Sequence, residues 1–235
     1  MLSSGIATFG ITLALPSISF SSTATSSIRA ICMEDNTIVV ATDHELLRIS
    51  DAGNVVRVSH ALAVTALASH PAKPGTILAA LKDGGLSRSV DGGLTWATVG
   101  SDLPAAQITA LTMAALEPSM VYAALAGDGL WRSQDTGETW EFVMDRPYLD
   151  GAELDVLSLV SVGNPSGMGG IWLYAGTQAG LTRVPDCFCR WQDVTAGNAM
   201  DALAAGETPP STAPLPNGEP VATLALAPEA PERIY

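Results

Sequence analysis

The feature that most restricts this chain is a self-similarity 44 residues apart. Val64-Thr65-Ala66-Leu67 recurs as Ile108-Thr109-Ala110-Leu111, and Ser89-Val90-Asp91-Gly92-Gly93-Leu94-Thr95-Trp96 recurs as Ser133-Gln134-Asp135-Thr136-Gly137-Glu138-Thr139-Trp140, both 44 residues later. Two fainter copies flank them. In all four, a leucine (Leu46, Leu86, Leu130, Leu181) sits two residues before an arginine (Arg48, Arg88, Arg132, Arg183), and an aspartate (Asp51, Asp91, Asp135, Asp186) follows three after it. Eight residues past each arginine comes Val56, Trp96, Trp140 or Trp191. A unit this short cannot bury an apolar face alone, so its copies must stack on one another.

Within one copy the pattern alternates with a period of two, the period of a half-buried strand. Strands are predicted over Thr65–Ser69, Thr76–Leu81, Leu86–Val90 and Leu94–Val99, separated by a Pro71/Pro74 turn, by Lys82-Asp83-Gly84-Gly85 and by Asp91-Gly92-Gly93. Four short strands per unit with no helical period give an all-β fold, a β-propeller of four-stranded antiparallel blades. The blades fall at residues 28–58, 64–100, 108–144 and 154–194, and part of a fifth follows at 221–235. There Val221–Leu226 reads as a first strand and Arg233-Ile234-Tyr235 opens the second. The unfinished fifth unit is expected to mark a fragment of a longer propeller. The competing reading closes the ring with an amino-terminal strand near Phe9–Leu15. Residues 1–27 alternate apolar side chains (Ala7, Phe9, Ile11, Leu13, Leu15) and lack the basic residues of an export leader, which favours a strand there. The stretch 195–220 is a Pro/Ala-rich loop.

The octapeptides ending at Trp96 and Trp140 resemble the Asp-box, or BNR, repeat of sialidases, sortilin-type receptors, some endoglucanases and photosystem II assembly-factor-like proteins. The resemblance implies that the hairpin lies at the propeller's outer rim, away from the central channel where ligands bind. Its residues here are Ser89, Asp91, Gly93, Thr95 and Trp96, then Ser133, Asp135, Gly137, Thr139 and Trp140, with Asp51, Asp186 and Trp191 in the degenerate copies. The residue types explain themselves. Serine and aspartate oxygens accept hairpin N–H groups, glycine supplies a positive φ, and the indole brings a large apolar area. The motif is therefore expected to be structural. Ile49 and Val56 depart from it in the first copy, and Val184, Cys187, Phe188 and Cys189 in the fourth, so that last hairpin must turn differently.

Charge restricts function more than fold. Lys+Arg minus Asp+Glu is 11 − 24 = −13, and two lysines are too few for a nucleic-acid surface. No uncharged run holds the ~20 apolar residues of a spanning helix. The acidic balance leans towards an extracytoplasmic setting. Cys187 and Cys189 without a nearby histidine make a weak metal-ligand set, open to a redox role but read first as structural, while Cys32 reads as a buried small hydrophobe. No metal or cofactor is expected. An arginine repeated in every blade is scaffold, and no sialidase-type arginine motif is visible. The acid that stands out is Asp155, expected in an innermost strand, with Arg146, Tyr148 and Asp150 on the connection before it; a solvated loop is the blander reading. The function expected is a non-catalytic scaffold binding a protein or carbohydrate ligand through its loops. The alternative is a glycoside hydrolase of sialidase or endoglucanase type, its paired carboxylates lying partly in further blades.

Overall fold

The computed structural model describes residues 27–58, 63–149, 151–164, 166, 170–194, 205–208, 218–227 and 230–235. The strand expected near Phe9–Leu15, Asp150 and most of the 195–220 loop lie outside the described residues. Four sheets of four antiparallel strands follow one another along the chain. The first holds β1 (Ile28–Glu34), β2 (Thr37–Thr42), β3 (Leu46–Ser50) and β4 (Val55–Val58), and the second β5 (Val64–Ser69), β6 (Ile77–Leu81), β7 (Leu86–Ser89) and β8 (Ala97–Val99). The third holds β9 (Ile108–Met113), β10 (Val121–Leu125), β11 (Gly129–Ser133) and β12 (Glu141–Met144). A small hairpin, β13 (Tyr148–Leu149) with β14 (Ala152–Glu153), leads into the fourth: β15 (Val156–Val162), β16 (Trp172–Thr177), β17 (Gly180–Pro185) and β18 (Gln192–Asp193). The first strands pack side by side in chain order, β1 on β5, β5 on β9 and β9 on β15, which makes the sheets the blades of a four-blade β-propeller.

The core lies in the seams between blades. Cys32, Val39, Ala41 and Leu46 of blade one meet Ile77 and Ala79 of blade two. Leu78, Leu86 and Val99 then meet Leu111, Val121 and Trp140, and Tyr122, Ala124 and Leu130 meet Leu173, Val184 and Trp191. Each inner blade thus buries one face on its predecessor and the other on its successor, which is why one repeat cannot fold alone. Within each blade the hairpin between strands three and four docks its backbone on the turn between strands one and two. Asp51 N donates to Asn36 O at 3.2 Å, Gly92 N to Gly75 O at 2.9 Å, Thr136 N to Ser119 O at 2.8 Å and Asp186 N to Ile171 O at 3.0 Å.

Three sequence expectations shift. The fourth strand of blade two starts at Ala97 rather than Leu94, because the N–H groups of Leu94 and Thr95 are taken by the Asp91 carboxylate and cannot join a ladder. Asp155 precedes β15 instead of lying in it. In the last unit the paired strands are β19 (Leu226–Ala227) and β20 (Ala230–Ile234), not Val221–Leu226. Val221 donates instead to Thr177 O at 2.9 Å and accepts from Ser158 Oγ at 3.0 Å, which lays that stretch against blade four. Ala225 and Tyr235 exchange both backbone bonds, the equivalent of the Ala68–Leu78 pair.

Candidate functional site

The two best-matched hairpins carry one hydrogen-bond net at the same distances. Ser89 Oγ donates to Asp91 Oδ1 and accepts from Gly93 N, both at 2.8 Å; Asp91 Oδ1 accepts from Thr95 N at 2.9 Å and Leu94 N at 3.0 Å, and Oδ2 from Thr95 Oγ1 at 2.6 Å. Ser133, Asp135, Gly137, Glu138 and Thr139 repeat it atom for atom. The indoles of Trp96 and Trp140 each donate to the hairpin glycine's carbonyl at 3.1 Å. The Thr95 hydroxyl and N–H bonds, with Ser89 and Leu94 N–H, hold the Asp91 carboxyl down at about 2. At Asp135 partial burial opposes ionisation, but bonds from Thr139, Ser133 and Glu138 outweigh it and the carboxyl again sits at about 2. Four hydrogen bonds from its own hairpin thus tie up each of these carboxylates. Asp51 accepts none of these bonds in blade one, where Asn54 N donates to Ser50 Oγ at 3.2 Å instead. In blade four Trp191 Nε1 donates to Asp145 O at 3.0 Å, across the seam to blade three.

Three of the four repeated arginines reach the next blade's hairpin. Arg88 Nη1 donates to Thr136 O at 3.1 Å and Nη2 pairs with Glu138 at 2.5 Å. The Arg48 guanidinium lies so close to Gly92 that a Cβ there would meet Nη2 at 3.3 Å. Arg132 pairs with Glu141 of its own blade at 2.6 Å and also stands over the Phe188 ring of blade four, 5.8 Å from its centroid. Arg183 stacks on Trp172 within its own blade at 4.1 Å.

Two cavities open among the described residues. One of about 670 Å³ opens among the first strands of all four blades and is lined by Arg29, Thr65, Thr109 and Leu157, with Lys82 and His44 from the turns between second and third strands. Arg29, Thr65, Thr109 and Leu157 each stand second in their strand, so the radial stacking brings one equivalent side chain per blade to this axial cavity. Arg29 Nε donates to Asp43, and that bond, with Ser27 N–H, lowers the Asp43 carboxyl below its usual range. The other lysine, Lys73, is spent on structure, donating to Thr136 Oγ1 at 2.5 Å and Ser119 Oγ at 3.1 Å in blade three. The sequence reading missed the axial residues, although the repeat frame that aligns Val64 with Ile108 could have found them.

The second cavity, about 790 Å³, is a groove between the β13–β14 hairpin and the outer strand of blade four, lined by Arg146, Tyr148, Glu153, Cys189, Arg190 and Trp191 among others. Arg146 and Asp155, singled out from sequence, do meet: Arg146 Nη1 stands 3.7 Å from Asp155 Oδ1, and its Nη2 2.8 Å from Glu153 Oε2. Asp155 Oδ1 also accepts from Gly127 N at 2.8 Å. That carboxylate ties the incoming connection to blade three's turn. Asp102, likewise outside the repeat frame, accepts from Trp140 N at 2.9 Å.

No protein-family model and no curated protein matches the chain. Solved structures do. A GH74 enzyme of Niastella koreensis superposes with a TM-score of 0.58 at 14% identity over 74% of this chain and 30% of its own. The GH74 xyloglucanase of Xanthomonas campestris gives 0.55 at 18% identity over 74% and 31%. YCF48 bound to D1 peptide gives 0.51 at 14% identity over 72% and 54%. The chain thus spans about a third of the two GH74 enzymes and about half of YCF48, and at these identities the likeness is one of fold.

Proposed function

We propose that this propeller is a non-catalytic recognition scaffold whose Asp-box hairpins hold the blades together while the loops around the axial cavity bind a protein or a glycan. The observation that carries the reading is the division of labour among polar groups. Asp91, Asp135, Asp102, Asp43 and Asp155 are each bound to backbone or arginine partners, whereas the axial cavity gathers, beside the Arg29–Asp43 pair, Lys82, His44 and three threonines from the first three blades. A glycoside hydrolase needs one carboxyl able to keep a proton, which burial or a like charge provides. Burial raises the Glu34 carboxyl, but that group is enclosed and bonded to Gly75 N–H, and the arginine beside Asp43, the carboxylate lining the axial cavity, does the reverse. The similar structures include a xyloglucanase and a propeller bound to a peptide, so both ligand classes belong in the test.

The purified chain is screened on peptide and glycan arrays alongside Lys82→Glu, on an exposed turn, and Thr109→Tyr, which fills the cavity. Glycan hydrolysis is measured in parallel. Binding that both substitutions weaken at least tenfold, with no product released, is the expected result. Product formation, or binding indifferent to both substitutions, overturns the proposal.

A further inference from the structure

The β17–β18 hairpin closes without the net its counterparts use. Where Gly93 and Gly137 hold φ at +88° and +89°, Phe188 stands at +52°. Val184 replaces the accepting serine, and the Asp186 carboxylate lies against Gly170 rather than over its own hairpin. Phe188 N donates to Pro185 O at 2.8 Å, and a covalent tie reinforces that turn. Cys187 and Cys189 flank Phe188 and are joined as a disulfide, their Cα atoms 5.5 Å apart, inside the ordinary range for bridged cysteines.

Phe188 is the part of this hairpin that matters to the fold. Its ring packs on Tyr122 of blade three with centroids 5.8 Å apart, the Arg132 guanidinium covers it, and it closes the seam that also holds Leu130, Leu173 and Trp191. Cys187 and Cys189 themselves are exposed. The next residues, Arg190 and Trp191, line the rim groove together with Cys189. An exposed bridge over three residues removes little freedom from the unfolded chain, and exposed disulfides are the exchangeable ones.

We propose that Cys187 and Cys189 are a reversible redox-modified latch, closed by thiol–disulfide exchange with a small disulfide of the glutathione type, that clamps Phe188 into the seam and sets one wall of the rim groove. In closing, one cysteine thiolate attacks the small disulfide, forming a mixed disulfide and expelling one thiolate. The second cysteine then attacks the protein sulfur of that mixed disulfide and expels the other. The protein loses two protons and two electrons, and the small disulfide gains them as two thiols. Reduction reverses each step, removes the covalent tie from Phe188 and frees the Cys189 side of the groove. The latch acts at the rim and does not depend on what the axial cavity binds.

The test compares the whole chain equilibrated with oxidised glutathione and with a phosphine reductant, read by native-state alkylation, hydrogen exchange and thermal melting. Cys32, buried with its thiol pushed up to about 12, serves as the unreactive internal control. Oxidation is expected to protect two thiols from alkylation. Reduction is expected to raise exchange over residues 186–191 at least fivefold, leave the Gly93 and Gly137 hairpins unchanged, and lower Tm by about 2–5 °C. Cys187→Ser with Cys189→Ser should reproduce the reduced state under both conditions. Two alkylatable thiols after oxidised glutathione, or identical exchange over 186–191 in the two redox forms of the unmutated chain, overturn the proposal whether or not the variant folds.

Discussion

Replacing Gly137 by alanine tests the blade-to-blade seam most directly. Gly137 holds φ at +89°, and a Cβ there would meet Leu78 Cδ2 and Leu86 Cδ2 of the preceding blade, each at 3.1 Å. Two costs therefore add. A left-handed φ costs an L-residue about 1–2 kcal/mol. Forcing a methyl into the close-packed seam costs about 1–3 kcal/mol more. Alanine's lower freedom in the unfolded chain returns about 0.4–1 kcal/mol. The net loss is about 2–4 kcal/mol. Gly53 supplies the control, for it turns the corresponding hairpin of blade one at φ +75° with nothing within 4 Å of where a methyl would stand. Gly53→Ala should lose only the backbone part, about 0.5–1 kcal/mol. Urea denaturation followed by tryptophan fluorescence and far-ultraviolet circular dichroism measures both midpoints against the parent. Equal losses at the two positions would refute the claim that the glycine is demanded by the neighbouring blade rather than by the turn alone.

Two further outcomes follow from the hairpins. Asp91 and Asp135 both sit at about 2 when folded, below the usual carboxylate value, so their stabilisation is fully present above about pH 4 and is lost as pH falls towards 2. Asp91→Asn with Asp135→Asn should flatten the fall of Tm over that window, and a parent-like slope in the double variant would count against it. Arg88→Ala should cost about 1–2 kcal/mol, most of it surviving about 0.5 M salt, because the Thr136 carbonyl rather than the exposed Glu138 is the better-shielded partner. If Glu138→Ala costs as much, the ion pair matters more than the carbonyl bond.

Strands, turns and blade order were open to reading because they rest on short-range rules. Alternation places one face of each strand inside, a positive φ asks for glycine, and an aspartate three residues past an arginine, with serine two before it and glycine two after, binds its own hairpin's N–H groups. Those relations repeat with the chain and can be counted along it. Competition between partners could not be counted. Leu94 and Thr95 look like strand residues until Asp91 takes their N–H groups, and Asp155 looks like part of an inner strand until Gly127 and Arg146 hold it outside.

The candidate site depended on assembly still more. Arg29, Thr65, Thr109 and Leu157 hold one equivalent position in the repeat, but only radial stacking of the first strands puts them, with Lys82, around one cavity. The Phe188 knob was visible as a broken motif, but its seat on Tyr122 belongs to the neighbouring blade. By itself the order of residues determined the repeating unit, its hairpins and the need for neighbours, since those follow from periods of two and forty-four. The tertiary structure alone decided which side chains share a cavity and which carboxylates are already bound, because both depend on contacts between blades that no spacing along one blade encodes.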